Sequence, residues 1–332
     1  MSNFGEYTIR PYEPGDEHGI LEGFNLVFGA DNPRHVERTL EEWRWAFERH
    51  PRGRRIMVAL HNDRIVGQYA GIAYRTNLMG EERDFVHMVD SFMVHEYRAR
   101  YKRPGLFVHT VLRFFEEFCG FDKAPIGYGV PVEKHFRLGH QFLGYEIVRT
   151  HGLLVREPSP GPTEIPEGVE RLSRYDEQLR WLYDRCAGDW AVSAFRDAEA
   201  MNWRFADHPR FEYVILGVRD DAGILRGTAV YRTADWILPR MGVLCEWLVP
   251  PGEPEVGEKL RLAVEALGRS EGTSALITLI PDWSPWFARF QESQWRVWPS
   301  HYFMGCRSWH PRLEQMWLKD HWWYQLSDVD LV

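Results

Sequence analysis

WAFERHPRGRRIMVALHNDRIVGQYAGIAYRT, residues Trp45–Thr76, recurs further along the chain as WRFADHPRFEYVILGVRDDAGILRGTAVYRT, residues Trp203–Thr233. His50-Pro51-Arg52 matches His208-Pro209-Arg210, 158 positions later, and Tyr74-Arg75-Thr76 matches Tyr231-Arg232-Thr233, 157 positions later. Beyond these, Asp90-Ser91-Phe92-Met93-Val94 lines up with Glu246-Trp247-Leu248-Val249 at an offset of 156, and Pro131 with Pro281 at 150. An offset that drifts slowly means elements kept in order while loops change length. The period is far too long for a solenoid, so each copy reads as a domain.

The stretch Glu157–Glu167 (EPSPGPTEIPE) has the proline content of an extended linker. It sets the expected domains at 1–156 and 168–332. Within the first copy, Tyr7–Pro11 reads as a strand and Asp16 opens a helix to about Phe28. A second helix spans Thr39–Arg49, with Thr39 as its cap and His50-Pro51 as its stop. Strands follow at Arg55–Leu60 and Ile65–Thr76 around an Asn62-Asp63 turn, then a long strand at Phe85–Val94. Apolar spacing predicts a helix at Leu106–Phe118, then a strand near Ile126, a helix at Val132–Leu138 and a closing strand at Tyr145–Val155. That order is α/β, with a hairpin meander in the middle. It lacks the regular βαβ alternation of a doubly wound nucleotide fold.

The order, together with the phrase VHEYRARYKRPGLF at Val94–Phe107, resembles the GCN5-related N-acetyltransferase (GNAT) superfamily. In that family a strand ends in V-H-P-x-Y-R, and a Gly-rich loop then leads into a helix and binds the pyrophosphate of acetyl-coenzyme A. Val94-His95-Glu96-Tyr97-Arg98 is similar to the strand end. Lys102-Arg103-Pro104-Gly105-Leu106-Phe107 is similar to the loop, with Lys for Gln/Arg and Phe for the last Gly/Ala. The phrase LGHQFLGYEIV at Leu138–Val148 resembles the family's later helix-to-strand turn. The resemblance implies two tandem GNAT-like domains, each a mixed, mostly antiparallel twisted sheet flanked by helices. It further implies acetyl-CoA as co-substrate and contacts from Val94, Arg98, Arg100, Lys102, Arg103, Gly105, Leu106 and Phe107.

The loop's chemistry supports that expectation independently. A helix N-terminus offers unpaired N–H groups and partial positive charge, and glycine permits close backbone approach. Arg98, Arg100, Lys102 and Arg103 place four cations in six positions of a chain whose net charge is −8. The plain alternative is a solvated basic turn. The matching loop of the second copy, Pro250–Lys259 (PPGEPEVGEK), carries three glutamates and one lysine. Those acids would repel a diphosphate, so one donor site per chain is expected, in the first copy.

Acyl transfer to an amine needs a proton acceptor for the amine and a donor for the leaving thiolate. The resemblance places the acceptor on the long central strand, where Asp90 stands in HMVDSFMV. Its alternative role is a hydrogen-bonded structural residue where the strands splay. His95, at the strand end, is a second candidate base. The family's acidic tyrosine has no evident counterpart, and within Lys134-His135-Phe136 His135 is the leading candidate acid; Tyr145 reads as core.

Composition sets outer limits. The pI of about 6.0 speaks against a nucleic-acid partner. No run of sequence is apolar enough for a membrane span or a signal core. Four cysteines, none in a CxxC pair, suit a reducing compartment, and a cytoplasmic setting is expected. No metal motif occurs among the 14 histidines. The tail, Trp309–Val332, carries four tryptophans and resembles the endings of family members associated with polysaccharide synthesis, which suggests an amino-sugar acceptor. The alternative is a segment that buries its tryptophans on the second domain. The expected activity is thus acyl-CoA-dependent N-acylation of a small polar amine. The competing functions are a non-catalytic binding protein and a two-lobed aminoacyl-tRNA-dependent transferase.

Overall fold

The structure, a computed structural model, describes residues 2–4, 6–31, 35–98 and 105–331. The first half runs β1 (Ser2–Phe4), β2 (Tyr7–Pro11), α1 (Asp16–Asp31), α2 (Leu40–Trp43), β3 (Arg54–His61), β4 (Arg64–Leu78), β5 (Glu81–Met93), α3 (His95–Arg98), α4 (Leu106–Phe118), β6 (Ile126–Gly129), α5 (Glu133–Leu143) and β7 (Glu146–Arg156). The second runs β8 (Glu170–Leu172), α6 (Gln178–Cys186), β9 (Val192–Ala194), α7 (Ala198–Met201), β10 (Val214–Arg219), β11 (Leu225–Ala234), β12 (Met241–Leu248), α8 (Pro254–Ser270), β13 (Leu276–Thr278), α9 (Pro285–Glu292), β14 (Arg296–Ser308), α10 (Gln315–His321) and β15 (Trp322–Trp323). Apart from β1, α3, β9 and the tail, the two halves follow the same order.

The correspondence extends to local detail. Thr39 caps α2 through a reciprocal capping box with Glu42, and Asp197 caps α7 by accepting from the Ala200 amide. The helix expected at Thr39–Arg49 is therefore present, but after one α-turn it widens into a π-turn at Arg44–Glu48. The second half does the same at Asn202–Ala206, 158 positions later. In both halves a histidine Nδ1 then stops the helix by accepting the amide two residues on: Arg52 to His50 at 3.0 Å, Arg210 to His208 at 3.2 Å. The hairpin between β3 and β4 turns at Asn62 and Asp63, with φ of 48° and 61°, the geometry a two-residue turn demands.

The chain forms two compact units. The first comprises Met1–Arg75, Arg83–Val148 and Met304–Gln315; the second comprises Thr76–Glu82, Arg149–Phe303 and Met316–Val332. Both draw residues from either side of the expected boundary at Glu157–Glu167. In the first unit β1, β2, β3 and β4 are neighbours in sequence order, followed by β5 and β6. Here β6 is parallel to β5 and pairs on its other side with Gly305–Ser308, the end of β14. In the second unit β8, β10, β11 and β12 run antiparallel. β13 is parallel to β12 and pairs on its other side with Leu154–Arg156 of β7. Each unit thus completes its sheet with the closing strand of the other half of the sequence.

The first core gathers Phe85, Val86, Val111 and Phe114, all fully buried, against the inner face of α4. The second gathers Leu244, Trp247, Leu260, Val264 and Phe290. The end of the tail, Trp322–Val329, is buried in the second unit. β15 pairs in parallel with β9, the Trp323 ring stacks on Trp190 at 4.1 Å, and Trp322, Trp323 and Tyr324 are each at most 3% exposed. Trp322 and Trp323 supply core area in the second unit, as the second reading of the tail expected, whereas Trp317 is half-buried and Trp309 packs against Phe115 of the first unit.

Candidate functional site

In the first unit β5 and β6 pair in parallel at Phe85–Ile126, Val86–Gly127 and His87–Tyr128. β6 ends at Gly129 whereas β5 continues to Met93. At Gly129 the backbones are still close: a Cβ there would lie 3.2 Å from the Met88 carbonyl. Past this point the parallel ladder stops, and the backbone of β5 between Met88 and Met93 is no longer tied to β6.

The strand end is anchored from below. The Val94 amide donates to the Val66 carbonyl at 2.9 Å, and the Arg98 Nε donates to the Met93 carbonyl at 2.8 Å. Tyr97 is buried, its hydroxyl 3.1 Å from His61 Nδ1, and it pins the short helix α3 to the sheet. Arg98 is exposed on that helix. Arg100, Lys102 and Arg103 lie outside the described residues. Gly105 is the N-cap of α4 with extended backbone (φ −72°, ψ 174°) and no side-chain cap. A Cβ on Gly105 would meet nothing within 4 Å. The first turn of α4 therefore presents amides that its own helix cannot satisfy. Leu106 is buried beneath this turn, and the Phe107 ring lies edge-on to Tyr69 at 6.0 Å.

Asp90 stands on the length of β5 beyond the β6 ladder, with φ of 52°, a left-handed conformation inside a strand. The Gln68 side chain holds its carbonyl at 2.8 Å. Its carboxylate accepts from Arg38 Nη1, an ion pair with about a tenth of the Asp90 side chain exposed. Arg38 is itself fixed. Its backbone amide and carbonyl both bond the Asn25 side chain, at 2.8 and 3.0 Å, and its guanidinium lies 4.3 Å from the Phe24 ring centre. Arg38 was not legible from motif or charge pattern. Its signal is the repeat: Arg196 follows it by 158 positions.

The other candidates are more dispersed. His95 begins α3 and His135 lies in the first turn of α5, both on the exposed side. Tyr145 follows the αL cap Gly144 (φ 67°), and its hydroxyl meets that of Tyr69. Burial raises the pKa of both phenols, so both stay protonated at neutral pH. Arg307 lies beside them, stacked between Phe115 and Trp309 at 4.9 and 4.8 Å, and burial lowers its pKa. This cluster closes the first core behind α4. Among the described residues no group of three or more metal-ligating side chains comes together.

The second unit carries the same two positions in altered form. At the start of α8, Glu253 pairs with Arg226 of β11 at 2.7 Å and with Arg185 of α6. Burial would raise the carboxyl's pKa, but the two arginines outweigh it and the net direction is downward. The acid at this helix start is thus neutralised by two arginines from neighbouring elements. The Arg38–Asp90 pair recurs as Arg196 and Glu246, both buried, with Arg196 Nε 3.3 Å from each Glu246 oxygen. Here the tail fills the site. Asp328 accepts from Arg196 Nη2 at 2.6 Å, Ser327 donates to Glu246, and Gln325 Nε2 donates to Glu246 Oε1 at 2.9 Å. A bulge in the β11–β12 pairing falls beside Glu246, as the positive φ falls at Asp90.

Residues 8–147 match the model of the acetyltransferase (GNAT) domain. A GCN5-related N-acetyltransferase from Anabaena variabilis superposes with a TM-score of 0.65 at 11% identity, over 92% of this chain and 73% of that one. An Enterococcus faecalis protein described as a "probable N-acyltransferase" gives 0.64 at 14% identity over 92% and 73%. N-myristoyltransferase of Saccharomyces cerevisiae, solved with bound myristoyl-CoA, gives 0.59 at 11% identity over 92% and 83%. No curated protein matches the chain in sequence. At these identities the structural likeness is one of fold, and the fold is that of the GNAT acetyltransferases. With the domain match, it supports placing residues 8–147 in that superfamily.

Proposed function

We propose that this chain is an acyl-coenzyme A-dependent N-acyltransferase, with acetyl-CoA as donor, acting on a small polar amine such as an amino sugar. In this reading the chain is a tandem pair of acetyltransferase-like copies, and the first binds the donor. One observation carries it: the uncapped N-terminus of α4 at Gly105 lies next in sequence to a run of cations and follows a strand whose parallel pairing has just ended. The α4 amides with Arg98, Arg100, Lys102 and Arg103 would hold the pyrophosphate. The freed backbone of β5 would receive the pantetheine arm in strand-like fashion. In the transfer the amine nitrogen bonds to the thioester carbon, the carbon–sulfur bond breaks and the amine loses a proton. Asp90 or His95 would take that proton, and His135 is the candidate donor to the thiolate. Cys119, Cys186, Cys245 and Cys306 are all buried and unpaired, which accords with a reducing, cytoplasmic setting. Among the described residues no helix is long and apolar enough to cross a membrane.

Calorimetric titration of the intact chain with acetyl-CoA tests this reading. One site per chain is expected, weakened by added salt and by replacing Arg98, Arg100 and Lys102 together with alanine. Absence of binding, or an affinity unchanged in the triple variant, would overturn it.

A further inference from the structure

The two copies differ in what lies on their arginine–acid pair, and the difference identifies a ligand. In the second unit Arg196 and Glu246 are engaged by the tail Gln325–Asp328. A carboxylate, Asp328, sits on the arginine, and hydrogen-bond donors, Ser327 and Gln325, sit on the acid. The arginine is then saturated: Nε faces Glu246, Nη1 donates to the Ala194 carbonyl at 2.9 Å, and Nη2 reaches Asp328 and Ser327. In the first unit the Arg38 guanidinium spends Nη1 on Asp90 and makes no other hydrogen bond among the described residues. A quarter of its side chain and a tenth of that of Asp90 remain exposed.

We infer that Arg38 and Asp90 form the acceptor-anchoring pair of the first copy, and that the acceptor is an amine that also bears a carboxylate. The carboxylate takes the place that Asp328 fills on Arg196, and the amine takes the place of the donors on Glu246. The inference rests on the acyltransferase reading for the reaction but not for the binding. A guanidinium with a free edge matches a planar carboxylate. The Phe24 ring lies against the guanidinium, and the two Asn25 bonds fix the Arg38 backbone from which it extends. An acid at the other end selects a group that donates. A neutral amine would satisfy Asp90 but leave Arg38 as it is. Arg38 is a specificity-determining residue in this account, and it takes no part in bond making.

The test uses matched amines differing only in the carboxylate: L-serine against L-serinamide, and glucosamine against its uronic acid. Binding to the intact chain is measured by calorimetry with coenzyme A present and no acyl group, and transfer is measured separately with acetyl-CoA. The carboxylate-bearing member of each pair should bind about tenfold or more tightly. Arg38→Met, which retains an apolar contact with Phe24, should erase that preference, and Arg38→Lys should restore part of it. Equal binding of both members, no binding of either, or a preference that survives in Arg38→Met would overturn the inference. Carboxylate-selective binding without any acyl transfer would instead refute the acyltransferase reading and leave this pair standing.

Discussion

Replacing Arg196 by methionine leaves two carboxylates, Glu246 and Asp328, buried in the second unit without their cation. Arg196 is 1% exposed, Glu246 0% and Asp328 3%. At an effective dielectric of about 20, each attraction across about 4 Å is on the order of 4 kcal/mol, much of it offset by desolvation. Removing one partner of a buried pair costs about 3–5 kcal/mol net, a large part of a typical domain's stability. The loss depends on pH, with a definite sign. Burial already raises the Glu246 carboxyl, with Asp328 adding to the effect, and loss of Arg196 raises it further. A folded-state pKa above the unfolded value means stability is full at low pH and falls as pH rises through the folded pKa. The penalty of Arg196→Met relative to the parent should therefore be smaller at pH 5 than at pH 8. Urea unfolding followed by tryptophan fluorescence reads it directly, because the Trp190–Trp323 stack reports docking of the tail. As a control, Arg174→Met removes the exposed Arg174–Asp207 pair and should cost little. A penalty for Arg196→Met no larger than the control's, or one that grows as pH falls, would refute the argument.

Two further predictions follow from single side chains. His50 and His151 are buried, and burial first, with neighbouring arginines, pushes both down to about 3. The unfolded chain takes up protons near pH 6.5 that the fold does not, so stability is full above pH 7 and falls by about 2 kcal/mol per histidine on going to pH 5. His50→Gln should remove its share of that slope in urea melts at the two pH values, and an unchanged slope would contradict it. A Cβ on Gly105 meets no atom within 4 Å and needs no unusual φ, so Gly105→Glu should leave the fold and melting temperature unchanged while acetyl-CoA binding drops at least tenfold. Undiminished binding in a calorimetric titration would show that α4 is the wrong helix.

Much of the fold was legible in local pattern. The helix Leu106–Phe118 and the strand Tyr7–Pro11 stand at the residues that apolar spacing selects. The helix expected at Val132–Leu138 instead runs Glu133–Leu143, because His140 and Gln141 continue its exposed face and only Gly144, in the αL conformation, stops it. The π-turn at Arg44–Glu48 was hidden, since an extra residue in a helical turn leaves the apolar pattern nearly intact. At the site, Asp90 and the Gly105 helix start follow from strand and loop phrases. The partner of Asp90 does not: Arg38 is 52 positions away, and only tertiary folding brings the two together. The composition of each sheet was equally out of reach. Nothing in the apolar alternation of Tyr145–Val155 states which sheet its far end will join.

That exchange of closing strands governs how the molecule can be made. The first unit completes its sheet with Gly305–Ser308, a strand made long after Ile126–Gly129, to which it pairs. A nascent chain that has finished residues 1–156 holds every helix of the first unit yet lacks its edge, leaving β6 with an open row of backbone groups. Closing a loop of this length before the pairing is gained slows folding and prolongs exposure of that edge. The prolyl-rich stretch Glu157–Glu167, which in sequence divides the halves, joins two partners that must wait for each other. Cutting the chain there would yield two fragments, each carrying the other's last strand.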